Sequence, residues 1–369
     1  MIKNSTNLIS ISKTHRVSYQ VLFTEGLFTK GNQSLKNFCS NKMLVVIDKK
    51  VHKIYRKRIV DFFKSIDCEF EFFLFEATEE NKNMNSVMEI CEAAKGFRMK
   101  RDSVFIGIGG GITLDVLGFA ASMFRRKANY IRIPTTLLGI VDAGVGVKVG
   151  VNHKNSKNLL GAYYAPLASF NDQSFLETLP SSEVRNGLYE IIKMALCDNR
   201  TLFVLLENNF QLFLKRKFNS ITDKINRSAA LAMMKCLEPN LYENNLKRKV
   251  DFGHTFSQYI EEATCFRIKH GEAVGMDMFI SSYIAHQRGL MSDEDFQRVI
   301  KLFKSIGGLA HFNRVDAKDL YNSLDAIRDH RAGKLNLVLP TELGRCIFTQ
   351  KCSLDEITGS VELGLKIFN

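Results

Sequence analysis

Three short stretches carry the residues best suited to chemistry: Leu188-Tyr189-Glu190-Ile191-Ile192-Lys193, Asp251-Phe252-Gly253-His254-Thr255-Phe256 and Lys269-His270-Gly271-Glu272. They offer one carboxylate, Glu190, and two imidazoles, His254 and His270, the donor set of a catalytic zinc that keeps a fourth position open for substrate or water. The two histidines sit 16 residues apart and Glu190 lies on an earlier helical segment, so folding has to bring the three together. Spacing alone does not separate such a trio from ordinary satisfied polar groups. The company these residues keep upstream does.

Positioning them falls to a chain of 369 residues, long enough for two substantial cores. Hydrophobic content of 45% and charged content of 24% are those of a soluble globular protein. No apolar run approaches the roughly 20 residues that span a bilayer. The start, Met1-Ile2-Lys3-Asn4, lacks a signal-peptide core, so a cytoplasmic protein with no membrane partner is expected. Eight scattered cysteines without a Cys-x-x-Cys pair read as reduced thiols. The net charge of +12 is dispersed, with Lys215-Arg216-Lys217 and Lys247-Arg248-Lys249 only short runs. Solvated faces and a few phosphate-binding cations account for it, and no nucleic-acid partner is expected.

The first half alternates strand and helix patterns. Apolar runs at 44–47, 70–75, 104–108 and 130–133 predict strands, and residues 60–66, 83–94 and 114–123 predict helices. Such alternation implies a parallel sheet covered by helices. The run from Val104 to Ile108 feeds Gly109-Gly110-Gly111 and a helix, a turn whose backbone can approach a pyrophosphate, although the third position of the usual dinucleotide fingerprint holds Ile112. From Pro180 onward helices dominate, with Ser181-Ser182-Glu183 expected as cap and first turn. Asn186, Glu190 and Lys193 share one face of that helix among Leu188, Ile191 and Ile192. Helices are also expected at 199–213, 221–237, 272–286 and 293–305, and a small hairpin at 335–348. The expected fold is an α/β N-terminal dinucleotide-binding domain, residues 1–180, with a mainly α-helical C-terminal domain, residues 181–369, that binds metal and substrate in the cleft between them.

Taken together, these residues resemble a known family across nearly the whole chain, the sugar phosphate cyclases, whose best-known member is 3-dehydroquinate synthase. Gly109-Gly110-Gly111-x-x-x-Asp115, Pro134-Thr135-Thr136-Leu137-Leu138, Val141 to Lys148, Lys157-Asn158-Leu159-Leu160-Gly161, Leu179-Pro180, Gly253-His254-Thr255 and His270-Gly271-Glu272 fall in that family's order and spacing. The resemblance implies Glu190, His254 and His270 as ligands of zinc, with cobalt as an alternative. It implies NAD contacts from Asp48, Glu79, Lys82, Gly110, Gly111, Asp115, Thr135, Thr136, Asp142, Lys148, Lys157, Thr178 and Glu183. It places Arg126, Asn158, Lys193 and Lys148 around a phosphorylated ketose, with Lys247 as a further substrate contact, and it implies a homodimer.

The departures from the family indicate the branch. Dehydroquinate synthases resemble this chain but carry Asn at Asp251, His at Gln258, Lys at Met233 and Arg at Lys247. Losing that Lys, with the Arg reduced to a Lys that cannot make a bidentate fork, disfavours a substrate carboxylate, which would cost several kcal/mol if buried unpaired. Asp251, the segment from His330 to Val338 and Glu238-Pro239-Asn240-Leu241 resemble the 2-epi-5-epi-valiolone synthases, which cyclise sedoheptulose 7-phosphate. Gln258 and Val149 depart from that branch too, which keeps sibling cyclases as alternatives. The implied chemistry is transient oxidation by NAD, β-elimination of phosphate, reduction and intramolecular aldol closure. Asp142, Lys148 and Lys193 would serve the reacting hydroxyls, and Asp251 and His330 would read the sugar. A zinc polyol dehydrogenase is the rival enzyme class, and it would accumulate NADH.

Overall fold

The structure, a computed structural model, describes residues 2–5, 8–14, 16–66, 68–154, 156–264, 267–330 and 333–369, and for 2–5, 8–10, 329 and 330 the backbone alone. A hairpin of β1 (Ile2–Ser5) and β2 (Leu8–Ile11) leads into β3 (Gln20–Phe23), β4 (Lys42–Asp48), β5 (Glu69–Phe75), β6 (Val104–Gly109) and β7 (Asn129–Pro134). Interleaved with the last four strands are α1 (Lys49–Ser65), α2 (Met84–Gly96) and α3 (Gly111–Met123). A second hairpin, β8 (Lys148–His153) with β9 (Ser156–Tyr163), precedes β10 (Ala168–Asn171).

Six strands form one sheet in the order β3-β10-β7-β6-β4-β5, and every neighbouring pair is parallel. Met43, Val45 and Ile47 of β4 pack into one apolar cluster and Leu44 and Val46 into another, so both faces of the strand are covered. That explains an unbroken apolar run where a one-sided strand would alternate. The chain moves from β4 to β5 on one side and then to β6 on the other. Strand order therefore reverses between β4 and β6, which opens a crevice at their C-terminal ends.

The helical half comprises α4 (Ser181–Cys197), α5 (Arg200–Leu214), α6 (Ser220–Leu237), α7 (Ser257–Ala263), α8 (His270–Gln287), α9 (Asp293–Ile306) and α10 (Ala317–His330). A hairpin of β11 (Leu337–Glu342) and β12 (Arg345–Thr349) and then α11 (Leu354–Phe368) complete it. α4 and α8 are buried along most of their lengths and pack on each other. Each fully buried Leu or Ile contributes about 1.5–3 kcal/mol, and Leu188, Ile191 and Ile192 thereby hold the polar face of α4 below the surface. Leu137, Ile140, Val141 and Val145, which follow β7, belong to this helical core and not to the sheet's own clusters.

Three local expectations change. α1 starts at Lys49, well before residue 60, because Asp48 Oδ1 accepts the Lys50 and Val51 amides at 2.7 and 3.1 Å. Ser181 does not cap α4: the cap position is Pro180, with no side-chain bond there. His270 is the first residue of α8 and does not stand ahead of it. No helix among the described residues is long and apolar enough to cross a membrane, and the seven described cysteines form no disulfide with one another.

Candidate active site

α4, the turn after Gly253 and the start of α8 converge on one point. Glu190 Oε1 lies 3.5 Å from His270 Nε2 and 3.9 Å from His254 Nε2. One donor atom from each of the three residues lies within 4.8 Å of the others. Two metal–ligand bonds of about 2 Å each span these gaps. Both histidines are aimed from behind: His254 Nδ1 meets the Phe252 carbonyl at 3.1 Å and His270 Nδ1 meets Glu261 Oε1 at 2.9 Å. Each Nε2 is thereby turned inward, the orienting role that outer partners of ligating histidines play.

Charge at the trio suits a cation. Both Glu190 carboxylate oxygens are buried without an aligned hydrogen-bond donor, although Lys193 Nζ ion-pairs with Oε2. Burial pushes the Glu190 carboxyl up, but Lys193, His270 and His254 outweigh it and hold the group below the carboxylate range. Burial and Lys193 push His254 down to about 4, leaving a neutral imidazole with a free lone pair. Burial lowers His270, yet Glu190 and Glu261 carry it up to about 10, so a metal bound here would displace the proton on its Nε2. The donor set, its inward aim and its orphaned acceptors fit zinc.

Backbone locks keep the three elements in place. Asn186 Oδ1 accepts the Gly271 amide, and a Cβ on Gly271 would strike the Asn186 carbonyl oxygen, so α4 and α8 meet here at backbone distance. Gly253 takes φ +77°, with Val274 and Met278 of α8 2.8 and 2.9 Å from where its Cβ would be. Asp277 of α8, fully buried, accepts the amides of Thr255, Phe256 and Ser257 at 2.7, 2.5 and 3.0 Å, tying the His254 turn to the helix that carries His270. Lys269 Nζ meets Ser182 Oγ at 3.0 Å and pairs with Glu183.

The sheet crevice supplies the second component. Asp48 ends β4, Gly109 ends β6, and α3 begins directly after Gly110 with no side chain capping its first amides. A Cβ on Gly109 would lie 2.5 Å from Thr113 Oγ1, and one on Gly110 would lie 3.0 Å from Thr136 Cγ2. An uncapped helix start behind a tight glycine turn fits a pyrophosphate. Thr135 N donates to the Gly109 carbonyl at 2.9 Å, and Thr136 Oγ1 accepts the Gly139 amide at 3.0 Å. Lys82 Nζ reaches Asp115 at 2.7 Å and Asn158 at 2.6 Å. Glu79 accepts from Asn152 at 2.8 Å, and Thr178 Oγ1 lies 2.9 Å from Tyr55 Oη. Lys157 joins the two components, for its Nζ lies 2.5 Å from the same Glu261 that orients His270.

A polar wall completes the site. Asp142 sits in a π-helical turn, residues Gly139–Ala143, with Oδ1 3.8 Å from Lys193 Nζ, and burial raises its carboxyl against the opposing pull of Lys193. Lys148 Nζ pairs with Glu243 at 2.6 Å, and Arg248 forks onto Asp251. Arg126 is not brought here. It lies beyond the C-terminal end of α3, and thirteen helical residues at 1.5 Å each put it about 20 Å from Gly110. Lys247 is exposed, Met233 is buried in the apolar core, and Gln258 pairs at 3.0 Å with Glu262. His330 ends α10 with its side chain outside the described residues, as are Arg331 and Ala332. Glu243, Arg248, Glu261 and Asp277 were given no role from sequence, and Lys269 entered only as part of the stretch that carries His270.

Residues 72–186 match the family model described as 3-dehydroquinate synthase N-terminal, and residues 187–330 match 3-dehydroquinate synthase C-terminal. A 2-epi-5-epi-valiolone synthase from Actinomyces sp is 36% identical over 360 residues, 94% of either chain. One from Streptomyces glaucescens is 38% identical over 351 residues, 93% of this chain and 89% of that protein. Among solved structures, ValA, a 2-epi-5-epi-valiolone synthase from Streptomyces hygroscopicus subsp. jinggangensis 5008 with NAD+ and Zn2+ bound, has a TM-score of 0.93 at 35% identity, covering 97% of this chain and 99% of that one.

Proposed function

Because the chain belongs to the 3-dehydroquinate synthase family, we propose that it is a carbon–oxygen lyase converting sedoheptulose 7-phosphate to 2-epi-5-epi-valiolone with release of phosphate, using NAD and zinc. The observation that carries this reading is the junction at Glu261. One carboxylate orients the ligand candidate His270 and holds Lys157, a residue of the nucleotide side, so metal and nicotinamide would meet over one substrate.

Glu190, His254 and His270 would hold the metal, and the crevice between β4 and β6 would hold the dinucleotide. Bound there, zinc would supply a Lewis acid for a substrate oxygen, and NAD a reversible acceptor for one hydride. Lys193, 1% exposed between Glu190 and Asp142, stays cationic because those carboxylates outweigh its burial, and it would fix the orientation of a reacting hydroxyl. Asp142, its carboxyl raised by burial, is suited to accept and return that hydroxyl's proton. Lys82 and Asn158 provide a cation and an amide for phosphate. Asp251 would accept from a sugar hydroxyl.

The reading divides the chain at residues 180 and 181, between the last sheet strand and α4, and makes the enzyme a cytoplasmic homodimer. The dimer is supported by Arg126: a residue about 20 Å along α3 from the crevice serves the phosphate only when a second copy delivers it. Incubation with sedoheptulose 7-phosphate, NAD and zinc, followed by product NMR, tests the reaction. Phosphate release and a cyclitol ketone without net NADH are expected. Accumulating NADH with no phosphate would assign the chain to the polyol dehydrogenases instead.

A further inference from the structure

The segment between α6 and α7 carries an ionic cluster. Arg248, partly buried, donates from Nη2 to Asp251 Oδ1 at 2.6 Å and from Nε to Oδ2 at 3.1 Å, and its Nη1 pairs with Glu243. Glu243 also takes Lys148 Nζ at 2.6 Å and the Tyr163 hydroxyl at 3.3 Å. The arrangement is built into the backbone. Asn240 accepts the Asn245 amide at 3.0 Å and donates to its carbonyl at 2.6 Å, pinching the loop so that Glu243 sits at φ +56°. Such a conformation in a residue other than glycine persists only where its surroundings over-determine it. Asp251, 6% exposed, passes its carbonyl to the His254 amide at 2.9 Å, so the fork stands three residues from a metal-ligand candidate.

A guanidinium beside a pocket is ordinarily the best receptor a protein has for a ligand carboxylate, because its fork matches two oxygens at once. Here the chain's own acids occupy both edges of that fork. We propose that Arg248, neutralised by Asp251 and Glu243, is a specificity-determining residue that sets this site against sugar phosphates bearing a carboxylate and in favour of uncharged ketose phosphates. An incoming carboxylate meets Asp251 and is repelled. A hydroxyl meets an acceptor that the guanidinium fork holds from behind. Arg248 acts through Asp251 as a positioning residue, and the inference rests on the proposed reaction only for the choice of ligands.

The test uses full-length, zinc-loaded protein saturated with NADH, so that no oxidised nucleotide is present to take hydride from the substrate, and measures binding of two probes by calorimetry. The probes are sedoheptulose 7-phosphate and 3-deoxy-heptulosonate 7-phosphate, a 2-keto acid of the same chain length. The unmodified protein should favour the first. Asp251→Asn frees the fork and should tighten the keto acid by about tenfold, the scale of one charge-assisted hydrogen bond. Adding Arg248→Ala to that variant should abolish the gain. Glu243→Gln, which leaves Asp251 in place, should move the preference the same way by less and serves if Asp251→Asn does not fold. Keto-acid affinity unchanged in both single variants, or an equal gain in the double variant, overturns the proposal. Product NMR with unmodified protein and NAD reports separately on the reaction: ligand preference as expected with no cyclitol formed would sink the cyclase reading alone.

Discussion

Glu261→Gln probes the junction between the metal and the nucleotide most directly. The amide oxygen still reaches His270 Nδ1, now 2.9 Å from the carboxylate, but the charge is lost and an N–H2 faces Lys157 Nζ, donor against donor, where 2.5 Å now separates opposite charges. Removing the outer partner of a ligating histidine costs about 10–100-fold in metal affinity, roughly 1.4–2.7 kcal/mol. Glu261 is 7% exposed at its side chain and Lys157 21%, so solvent repairs little, and the loss should approach the upper figure. Competition of metal-free protein against a zinc-chelating dye gives the dissociation constant, and the visible spectrum of the cobalt-substituted protein reports ligand geometry. Lys157→Met is the counterpart: it unloads Glu261 without touching His270, so zinc affinity should hold while NAD affinity falls. Zinc binding by Glu261→Gln within about twofold of the unmodified protein, with an unchanged cobalt spectrum, would refute the orienting role.

Gly271→Ala forces a methyl into the Asn186 carbonyl and should cost about 1–3 kcal/mol and most zinc occupancy, read by thermal melting and metal content. Asp277→Asn leaves a single neutral oxygen for three buried amides and should destabilise by about 1–3 kcal/mol in urea titrations. Inactive Arg126→Ala and Lys193→Met subunits, mixed after mild denaturation and refolding, should regain activity if Arg126 crosses to a second copy; no recovery would count against a shared site. Hydrogen bonding from Cys197 and the charge of Lys249 lower the Cys346 thiol against its burial, whereas burial pushes Cys39 and Cys352 up to about 12. Iodoacetamide should therefore label Cys346 before those two in peptide mapping.

The sheet was legible because β4 and β6 are buried on both faces, which forces unbroken apolar runs onto the sequence. α9 was equally plain, with Ser292 accepting the Asp295 amide and Gly307 at φ +75° ending the helix. The β8–β9 hairpin was not, for it pairs Gly150 with Gly161 and leaves Leu159 exposed, so no alternation marks it. At the site, Glu190 and Lys193 stood out as polar residues within an apolar helix face. Arg248 did not: it sits in a basic triplet that looks like any solvated run, and only its loop's fold turns it inward while Lys247 stays outside. Lys157 could be assigned to the nucleotide by resemblance, but its bond to Glu261 joins residues too far apart in sequence for any spacing rule.

The segment from Leu137 to Val145 has a bearing on how such enzymes could be recombined. It follows the sheet in sequence yet inserts four apolar side chains among those of α4 and α6, so its complementarity is to the opposite half. A chimaera spliced between two relatives at residue 180 would bring one parent's plug to the other parent's socket. Exchange at β7, upstream of Leu137, keeps plug and socket together, at the cost of seating one parent's β10 beside the other parent's β3.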